Sequence, residues 1–367
     1  MSPMVQTSLQ QEPLPVIPVT AMEGAALDWH SRPLDWEDLL AALSLLSLGL
    51  TSIIVYIVVM KIMKQQDKEI VGYRFLFSIG IADVLLLVNY SVWPAITILA
   101  KSELVTKEMR PWIQIYLDWT WFSMVAQYST IAWTRWMALY RPHSFRTQTP
   151  LFSYTLSFFC YVLALVMVLS THFQTWYVTF YYEPSNYGML AEDFPLYLTG
   201  GQSAMFLIFH LCGVVLPIIF YTWTFYMLYQ RRQSHTFRSA VQNPNSVQSS
   251  VESRLLIPCV INLIIFIIGQ FLITWGTGEG KWAGFLVMLI FSLNSAINPI
   301  LLLMFSNQLR RQFLDQFGFR APLVVDKTEA STIYRKPTTG IAEKQQVIQL
   351  CDNLTTPLTV NDDSLDI

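Results

Sequence analysis

The chain has 367 residues, of which 53% are hydrophobic and 13% charged, and its mean hydropathy is +0.41. Soluble domains keep about a quarter of their residues charged. This composition therefore indicates an integral membrane protein and excludes a disordered chain, a coiled coil, a collagen and a disulfide-rich secreted module. The net charge of −2 provides no basic surface for nucleic acid, so no nucleic-acid partner is expected.

The hydropathy pattern divides the chain into three parts. Residues 1–38 are polar and contain several prolines, and we expect them to form an extracellular, largely disordered segment. Residues 39–315 hold seven windows long enough to cross a bilayer as helices, each of about 20 apolar residues. The windows are 39–61, 75–100, 112–137, 151–173, 202–229, 255–276 and 282–305. The sequence predicts an all-α membrane protein, a seven-transmembrane helix bundle, followed by a disordered cytoplasmic tail over 316–367.

Basic residues set the expected orientation. They accumulate after the first, third, fifth and seventh spans: Lys61, Lys64, Lys68 and Arg74; Arg135, Arg141 and Arg146; Arg231, Arg232, Arg238 and Arg254; and Arg310, Arg311 and Arg320. Short cytoplasmic loops are rich in Lys and Arg, so the N-terminus is expected outside and the C-terminus inside. We expect a multi-pass protein of the plasma membrane, in contact with membrane lipid.

The four cysteines lie where no structural disulfide is expected. Cys160, Cys212 and Cys259 fall in apolar stretches, and Cys351 falls in the polar tail. Because none lies in an outer loop, the sequence predicts free thiols.

Polar residues inside the spans form one predicted cluster. Asp83 lies in the second span, where a carboxylate near a helix centre costs about 2.5–3.5 kcal/mol and needs a polar partner. The seventh span offers Asn294, Ser295 and Asn298 on neighbouring positions of one face. Pro299 then removes a backbone N–H and frees carbonyls nearby. Two interpretations stay open: a fixed hydrogen-bond network, or a hydrated hinge that repacks between states and could hold a sodium ion near Asp83.

A second candidate site ends the third span. Arg135 follows Thr134, and Tyr140, Arg141 and Pro142 come shortly after. An arginine at this end of a span often extends to the lipid headgroups. The alternative is a role in coupling to a cytoplasmic partner.

These motifs resemble rhodopsin-like G-protein-coupled receptors. The seventh span ends Asn294-Ser295-Ala296-Ile297-Asn298-Pro299 and leads into Asn307-Gln308-Leu309-Arg310-Arg311-Gln312-Phe313, which is similar to the family's seventh helix and amphipathic eighth helix. Asp83 resembles the second-helix aspartate, Thr134-Arg135-Trp136 the Asp-Arg-Tyr motif, and Pro217 the fifth-helix proline. The resemblance covers about residues 39–315.

The departures from that pattern are also informative. Leu302 replaces the tyrosine of the family's NPxxY motif, Thr134 replaces the acid before the arginine, and the sixth span lacks the CWxP pattern. The first span has no Asn, and the cysteine pair that ties the third helix to the second outer loop is absent. The run from Asn298 to Arg310 is similar to nematode serpentine chemoreceptors of the class g and class v type.

The resemblance implies a chemosensory receptor, not an enzyme, that converts binding of an extracellular small molecule or peptide into activation of a heterotrimeric G protein. In this family the sixth helix swings outward and opens a cytoplasmic cleft in which Arg135 would meet the G protein. Thr134, Tyr140, Asn298 and Pro299 would complete that switch.

Two expectations concern the cytoplasmic segments. Glu252 could restrain Arg135 in place of the missing acid, or it could be a solvated loop charge. Thr and Ser residues of the tail could bind an arrestin-type protein once they are phosphorylated.

Five residues are candidates for a ligand pocket at the outer end: Tyr116, Asp118, Trp119, Phe122 and Tyr182. Such a pocket would be apolar and aromatic, with Asp118 as its anionic anchor. Aromatic residues at this level are also typical of a membrane-interface belt. The family's amine-binding position corresponds to Leu117, about 100° around the helix from Asp118, which disfavours an aminergic receptor.

Other classes of membrane protein fit less well. The region around Ser292 has no lysine for a retinal Schiff base, which excludes an opsin. The histidines are scattered without ligand spacing, so no metal site is expected. A multi-span transporter or ion-conducting bundle with Asp83 on the ion path remains the alternative.

Overall fold

The computed structural model describes residues 29–233, 255–275 and 280–318. Seven long helices form a bundle: α1 Trp36–Gln65, α2 Val71–Ala100, α3 Arg110–Tyr140, α4 Pro150–His172, α5 Gln202–Gln233, α6 Leu256–Trp275 and α7 Lys281–Phe305. An eighth helix, α8 Asn307–Gln316, follows α7. Short helices Pro142–Arg146 and Phe194–Thr199 lie between the long ones. The predicted bundle is confirmed; the predictions for residues 1–28, for Glu252 and for the tail from 319 onward lie outside the described residues.

Five of the described helices, α1, α2, α4, α5 and α7, are long and apolar enough to cross a membrane by length and composition. In α6 the apolar part is shorter, Leu256–Leu272. Helix α3 is less apolar because it carries Gln114, Asp118 and Gln127, yet all three side chains are buried. It packs against α2, α4, α5 and α6, so its polar groups face protein instead of lipid.

Local sequence explains where several helices begin. The Asp35 side chain accepts from the N–H of Trp36, and the Asp38 side chain accepts from the N–H of Asp35, which starts α1 with a capping box. At the junction of α7 and α8, the Ser306 hydroxyl accepts from the N–H of Leu309 at 3.3 Å. Serine is a preferred residue at such a start, so it separates the two helices.

A π-helical turn interrupts α2 at Val88–Val92, just before Pro94. Pro94 has no N–H to donate to the carbonyl of Tyr90, four residues earlier. The Ser292 hydroxyl of α7 donates to that carbonyl at 2.9 Å. The irregular turn is thereby fixed to α7.

The segment between α4 and α5 contains a β-hairpin that the sequence did not predict. Strands β1 Phe180–Glu183 and β2 Gly188–Ala191 pair antiparallel, with Phe180 opposite Ala191 and Glu183 opposite Gly188. The turn packs tightly against α7, because a Cβ at Gly284 would lie 2.3 Å from the carbonyl oxygen of Asn186. The glycine therefore allows the hairpin to cover the outer end of the bundle.

Candidate functional site

A cavity of about 260 Å³ lies at the outer end, between α2, α3, α7 and the hairpin. Its apolar lining consists of Val88, Trp93, Val105, Ile113, Leu117, Phe180, Met189 and Met288. Its polar lining consists of Asn89, Glu103, Arg110, Tyr116, Tyr181 and Tyr182. Two of the predicted pocket residues, Tyr116 and Tyr182, are therefore on this cavity, and so is Leu117.

The two charged residues of the lining are paired with each other. Arg110 donates to both carboxylate oxygens of Glu103, at 2.6 and 2.8 Å from Nη2. Its Nη1 lies 3.4 Å from Glu192 Oε1, and its guanidinium carbon lies 3.7 Å from the centre of the Tyr181 ring. The arginine thus joins the start of α3 to the hairpin, and its charge is balanced at the cavity wall.

Tyr182 lines this cavity, and its hydroxyl is a buried polar group. It makes no hydrogen bond with the described residues. Burial raises the pKa of this phenol far above its usual value, so the group stays protonated and able to donate. A buried hydroxyl without a partner is energetically unfavourable, which marks Tyr182 as a candidate contact.

Asp118 is placed away from this cavity. Gln114 Nε2 donates to Asp118 Oδ1 at 2.7 Å, and the Tyr177 hydroxyl of the outer loop donates to Oδ2. Both carboxylate oxygens therefore have protein partners. The role of Asp118 as an anionic anchor for a ligand stays a prediction, and its position outside the lining of this cavity does not favour that role.

Trp119 and Phe122 also lie outside the cavity lining. The Trp119 indole donates to the carbonyl of Tyr161 in α4 at 3.0 Å. The Phe122 ring packs against Phe206 and Phe209 of α5, with ring centres 5.4 and 4.6 Å away. These contacts join α3 to its neighbours, and a ligand role for either residue stays a prediction.

Asp83 is fully buried and is bonded by two other helices. Asn298 Nδ2 of α7 donates to Asp83 Oδ2 at 2.8 Å, and the Tyr56 hydroxyl of α1 lies 2.6 Å from the same oxygen. The hydroxyl also lies 3.0 Å from the carbonyl oxygen of Ser295. That carbonyl lacks its helical donor because Pro299 has no N–H. Tyr56 was not predicted, and its only signal is a tyrosine in mid-span instead of at an interface.

Asn294 belongs to a second cluster, one turn away. Its Nδ2 donates to the Tyr128 hydroxyl of α3 at 3.2 Å and lies 3.6 Å from Met124 Sδ. Asn262 of α6 donates to the same hydroxyl at 3.0 Å. The polar residues predicted as one network therefore divide: Asn298 contacts Asp83, and Asn294 contacts Tyr128.

A second, smaller cavity of about 30 Å³ adjoins both clusters, and its polar lining is Tyr56, Asp83, Tyr128, Asn262 and Asn298. The space suffices for about one water or a small ion. Asp83 Oδ1 makes no hydrogen bond with the described residues, and carboxylate and amide oxygens suit hard cations. The residues present fit a sodium ion, which stays a prediction. Groups of three or more His, Cys, Asp or Glu able to hold a metal do not occur in the described ranges.

Arg135 lies inside the bundle. It is 1% exposed, and its Nη2 lies 3.4 Å from the carbonyl oxygen of Gly72 in α2. Of the two interpretations, this burial does not fit an arginine that extends to the lipid headgroups. The Thr134 hydroxyl donates to the carbonyl of Ile131, and the exposed Tyr140 ring stacks on Trp136.

Among the described residues, Cys160, Cys212 and Cys259 form no disulfide. The fourth, Cys351, lies outside the described residues. Hydrogen bonds of the Arg110 and Asp118 side chains join the loop between α4 and α5 to α3.

Comparisons with known proteins agree with this arrangement. A family model described as "Serpentine type 7TM GPCR chemoreceptor Srv" matches residues 45–319. Solved structures that match include squid rhodopsin, with a TM-score of 0.63 and 11% identity over 79% of this chain and 83% of that chain. This likeness shows the fold alone. No curated protein matches the chain. The class v part of the resemblance is confirmed, and the chain belongs to the Srv family of serpentine chemoreceptors, which are seven-helix G-protein-coupled receptors.

Proposed function

We propose that this chemoreceptor binds a small, mainly apolar extracellular ligand in the outer cavity and activates a heterotrimeric G protein at the plasma membrane. The observation that carries the proposal is the cavity of about 260 Å³ between three helices and the hairpin. Ligand pockets are concave, mostly apolar, and carry a few placed polar groups. The volume favours a small molecule over a peptide.

The charges around the cavity favour a neutral ligand. Arg110 and Glu103 neutralise each other in a bidentate pair, which is stronger than a single hydrogen bond. Asp118 is engaged by Gln114 and Tyr177. A charged ligand would have to break one of these pairs, whereas a neutral ligand could bond the Tyr182 hydroxyl without that cost.

Signalling then requires two arrangements of the bundle. A ligand shifts the population between them only by its different affinity for each. Because Arg135 is buried at the inner end, we infer that this arrangement must open before a G protein can contact it. A receptor of this kind needs no catalytic residues of its own. Arrestin-type binding to the tail and a sodium ion near Asp83 remain part of the proposal.

A ligand screen read by several G-protein reporters tests the ligand part of the proposal. Active compounds should be small and neutral, and Tyr182→Phe should raise the half-maximal concentration several-fold for those with a hydrogen-bonding group. Tyr197→Phe, in the same outer loop but not on the cavity lining, is the matched control. Equal loss in both variants, or a preference for charged compounds, would contradict the ligand assignment.

Replacing Arg135 tests the coupling end. Arg135→Ala should abolish signalling and leave surface expression unchanged, whereas Arg141→Ala, at an exposed arginine six residues later, should keep it. Normal signalling by Arg135→Ala would contradict the proposal. Ligand-dependent conductance in purified vesicles without G protein would favour the transporter alternative.

A further inference from the structure

We propose that the Tyr128 hydroxyl holds α6 against the bundle and is a positioning residue for the activation switch. The proposal rests on the proposed function, because it names the contact that must open before the cytoplasmic cleft forms. Tyr128 lies in α3 and is 5% exposed. Its hydroxyl accepts from Asn262 of α6 at 3.0 Å and from Asn294 of α7 at 3.2 Å. One hydroxyl oxygen therefore joins three helices.

In the inner half of α6, the polar side chains are Cys259 and Asn262. Between Leu256 and Phe266, Asn262 is the only residue whose side chain carries an amide or a charge. Apolar contacts can slide, whereas a hydrogen bond specifies one position. Asn262 is 4% exposed and meets Tyr128 inside the bundle. The bond between the two fixes the register of α6 against α3.

The end of α3 lacks the acidic residue with which related receptors restrain the arginine. Thr134 carries no charge, and its hydroxyl donates to the carbonyl of Ile131 within α3. The Arg135 guanidinium contacts the carbonyl of Gly72 in α2. A restraint on α6 deeper in the bundle, at Tyr128, is consistent with this arrangement.

Loss of the Tyr128 hydroxyl should destabilise the closed arrangement of the bundle more than the open one. Without this hydroxyl, the Asn262 amide would be buried without this acceptor, and the Asn294 amide would keep only the weakly accepting Met124 sulfur, 3.6 Å away. An outward movement of α6 would let water reach these amides from the adjoining cavity of about 30 Å³. Because a buried hydrogen bond contributes about 0.5–1.5 kcal/mol net, the open fraction should rise about two- to tenfold.

The experiment compares Tyr128→Phe and Asn262→Leu with a matched control in the full-length receptor. Tyr161→Phe is the control, since it also removes a hydroxyl that makes a hydrogen bond, here to the Ser78 carbonyl at 2.7 Å, but it joins α4 to α2. The first readout is the alkylation rate of Cys259, which is partly buried, lines the smaller cavity and should become more accessible when α6 moves. Mass spectrometry resolves it from the other cysteines. The second readout is basal G-protein activation at equal surface expression.

The proposal predicts that both test variants raise Cys259 alkylation about two- to tenfold, that the double variant adds little, and that the control stays at the wild-type rate. Faster alkylation without a rise in basal G-protein activation would support the role of the Tyr128 hydroxyl in holding α6, but it would overturn the proposed link to G-protein activation. Unchanged alkylation in both test variants would overturn the proposal that the Tyr128 hydroxyl holds α6, whatever the G-protein result. If both test variants failed to reach the membrane while the control did so normally, the proposal would also be overturned, because the hydrogen bonds of Tyr128 would then be needed for folding.

Discussion

Replacing Tyr177 by Phe should loosen the outer loop from α3. The Tyr177 hydroxyl donates to Asp118 Oδ2, and Gln114 donates to the other oxygen at 2.7 Å. Burial, together with the nearby Asp118 carboxylate, raises the pKa of the Tyr177 phenol far above its usual value, so the hydroxyl is a donor at neutral pH. The variant removes this one hydroxyl and keeps the ring.

The expected loss follows from the burial of the acceptor. Asp118 is 9% exposed, and a hydrogen bond to a charged group contributes about 1.5–3 kcal/mol. Tyr177→Phe should therefore lower the free energy of unfolding by about that amount. In an Asp118→Asn background the acceptor is neutral, and the same change should cost about 1 kcal/mol less.

Thermal unfolding is measured for the wild type, Tyr177→Phe, Asp118→Asn and the double variant, all purified in one detergent and lipid mixture. The four values form a double-mutant cycle. Tyr197→Phe serves as a control for loss of a hydroxyl in the same loop. The reasoning would be refuted if Tyr177→Phe unfolded at the wild-type temperature. An equal loss in the Asp118→Asn background would refute the assignment to the Tyr177–Asp118 bond.

Three further predictions concern other contacts. Tyr56→Phe removes the donor 2.6 Å from Asp83, so the unfolding temperature should fall by several degrees, and an unchanged value would contradict the contact. In the first inner loop, burial would raise the pKa of Asp67, but hydrogen bonds from Tyr154 and Lys64 outweigh it and lower the pKa. Its stabilisation is complete above the unfolded-state pKa of about 3.9 and is lost as pH falls through the lower folded-state value. Asp67→Asn should therefore destabilise the receptor at about pH 7 and progressively less in acid, and a pH-independent effect would contradict this. Thiol reductant should leave the unfolding temperature unchanged, because the three described cysteines form no disulfide.

The fold was largely predictable because it depends on local composition. Spans of about 20 apolar residues and the positions of basic residues specify seven helices and an orientation without knowledge of any tertiary contact. The amphipathic α8 was predictable from Leu309 and its basic neighbours. In the structure Leu309 is buried, and Arg310 and Arg311 are exposed. The hairpin was not, since the aromatic run from Phe180 to Tyr182 also fits a membrane-interface belt.

The polar partners were harder to predict than the polar residues. Sequence placed Asp83, Asn294 and Asn298 in the bundle, but spacing within α7 could not tell which helix each asparagine would meet. Tyr56 and Tyr128 supply the missing partners from α1 and α3. Their selection depends on how the helices pack against one another, and a single sequence does not contain that information.

Nucleotide exchange on purified G proteins is the most direct test of receptor function. The receptor would be reconstituted in lipid vesicles with heterotrimers of each class, and exchange would be compared for wild type, Arg135→Ala and Tyr128→Phe. We expect exchange above receptor-free vesicles for at least one class, a higher basal rate in Tyr128→Phe, and none in Arg135→Ala. Absence of exchange in wild type and in Tyr128→Phe, together with ion or solute flux through the same vesicles, would contradict a receptor and indicate a transporter.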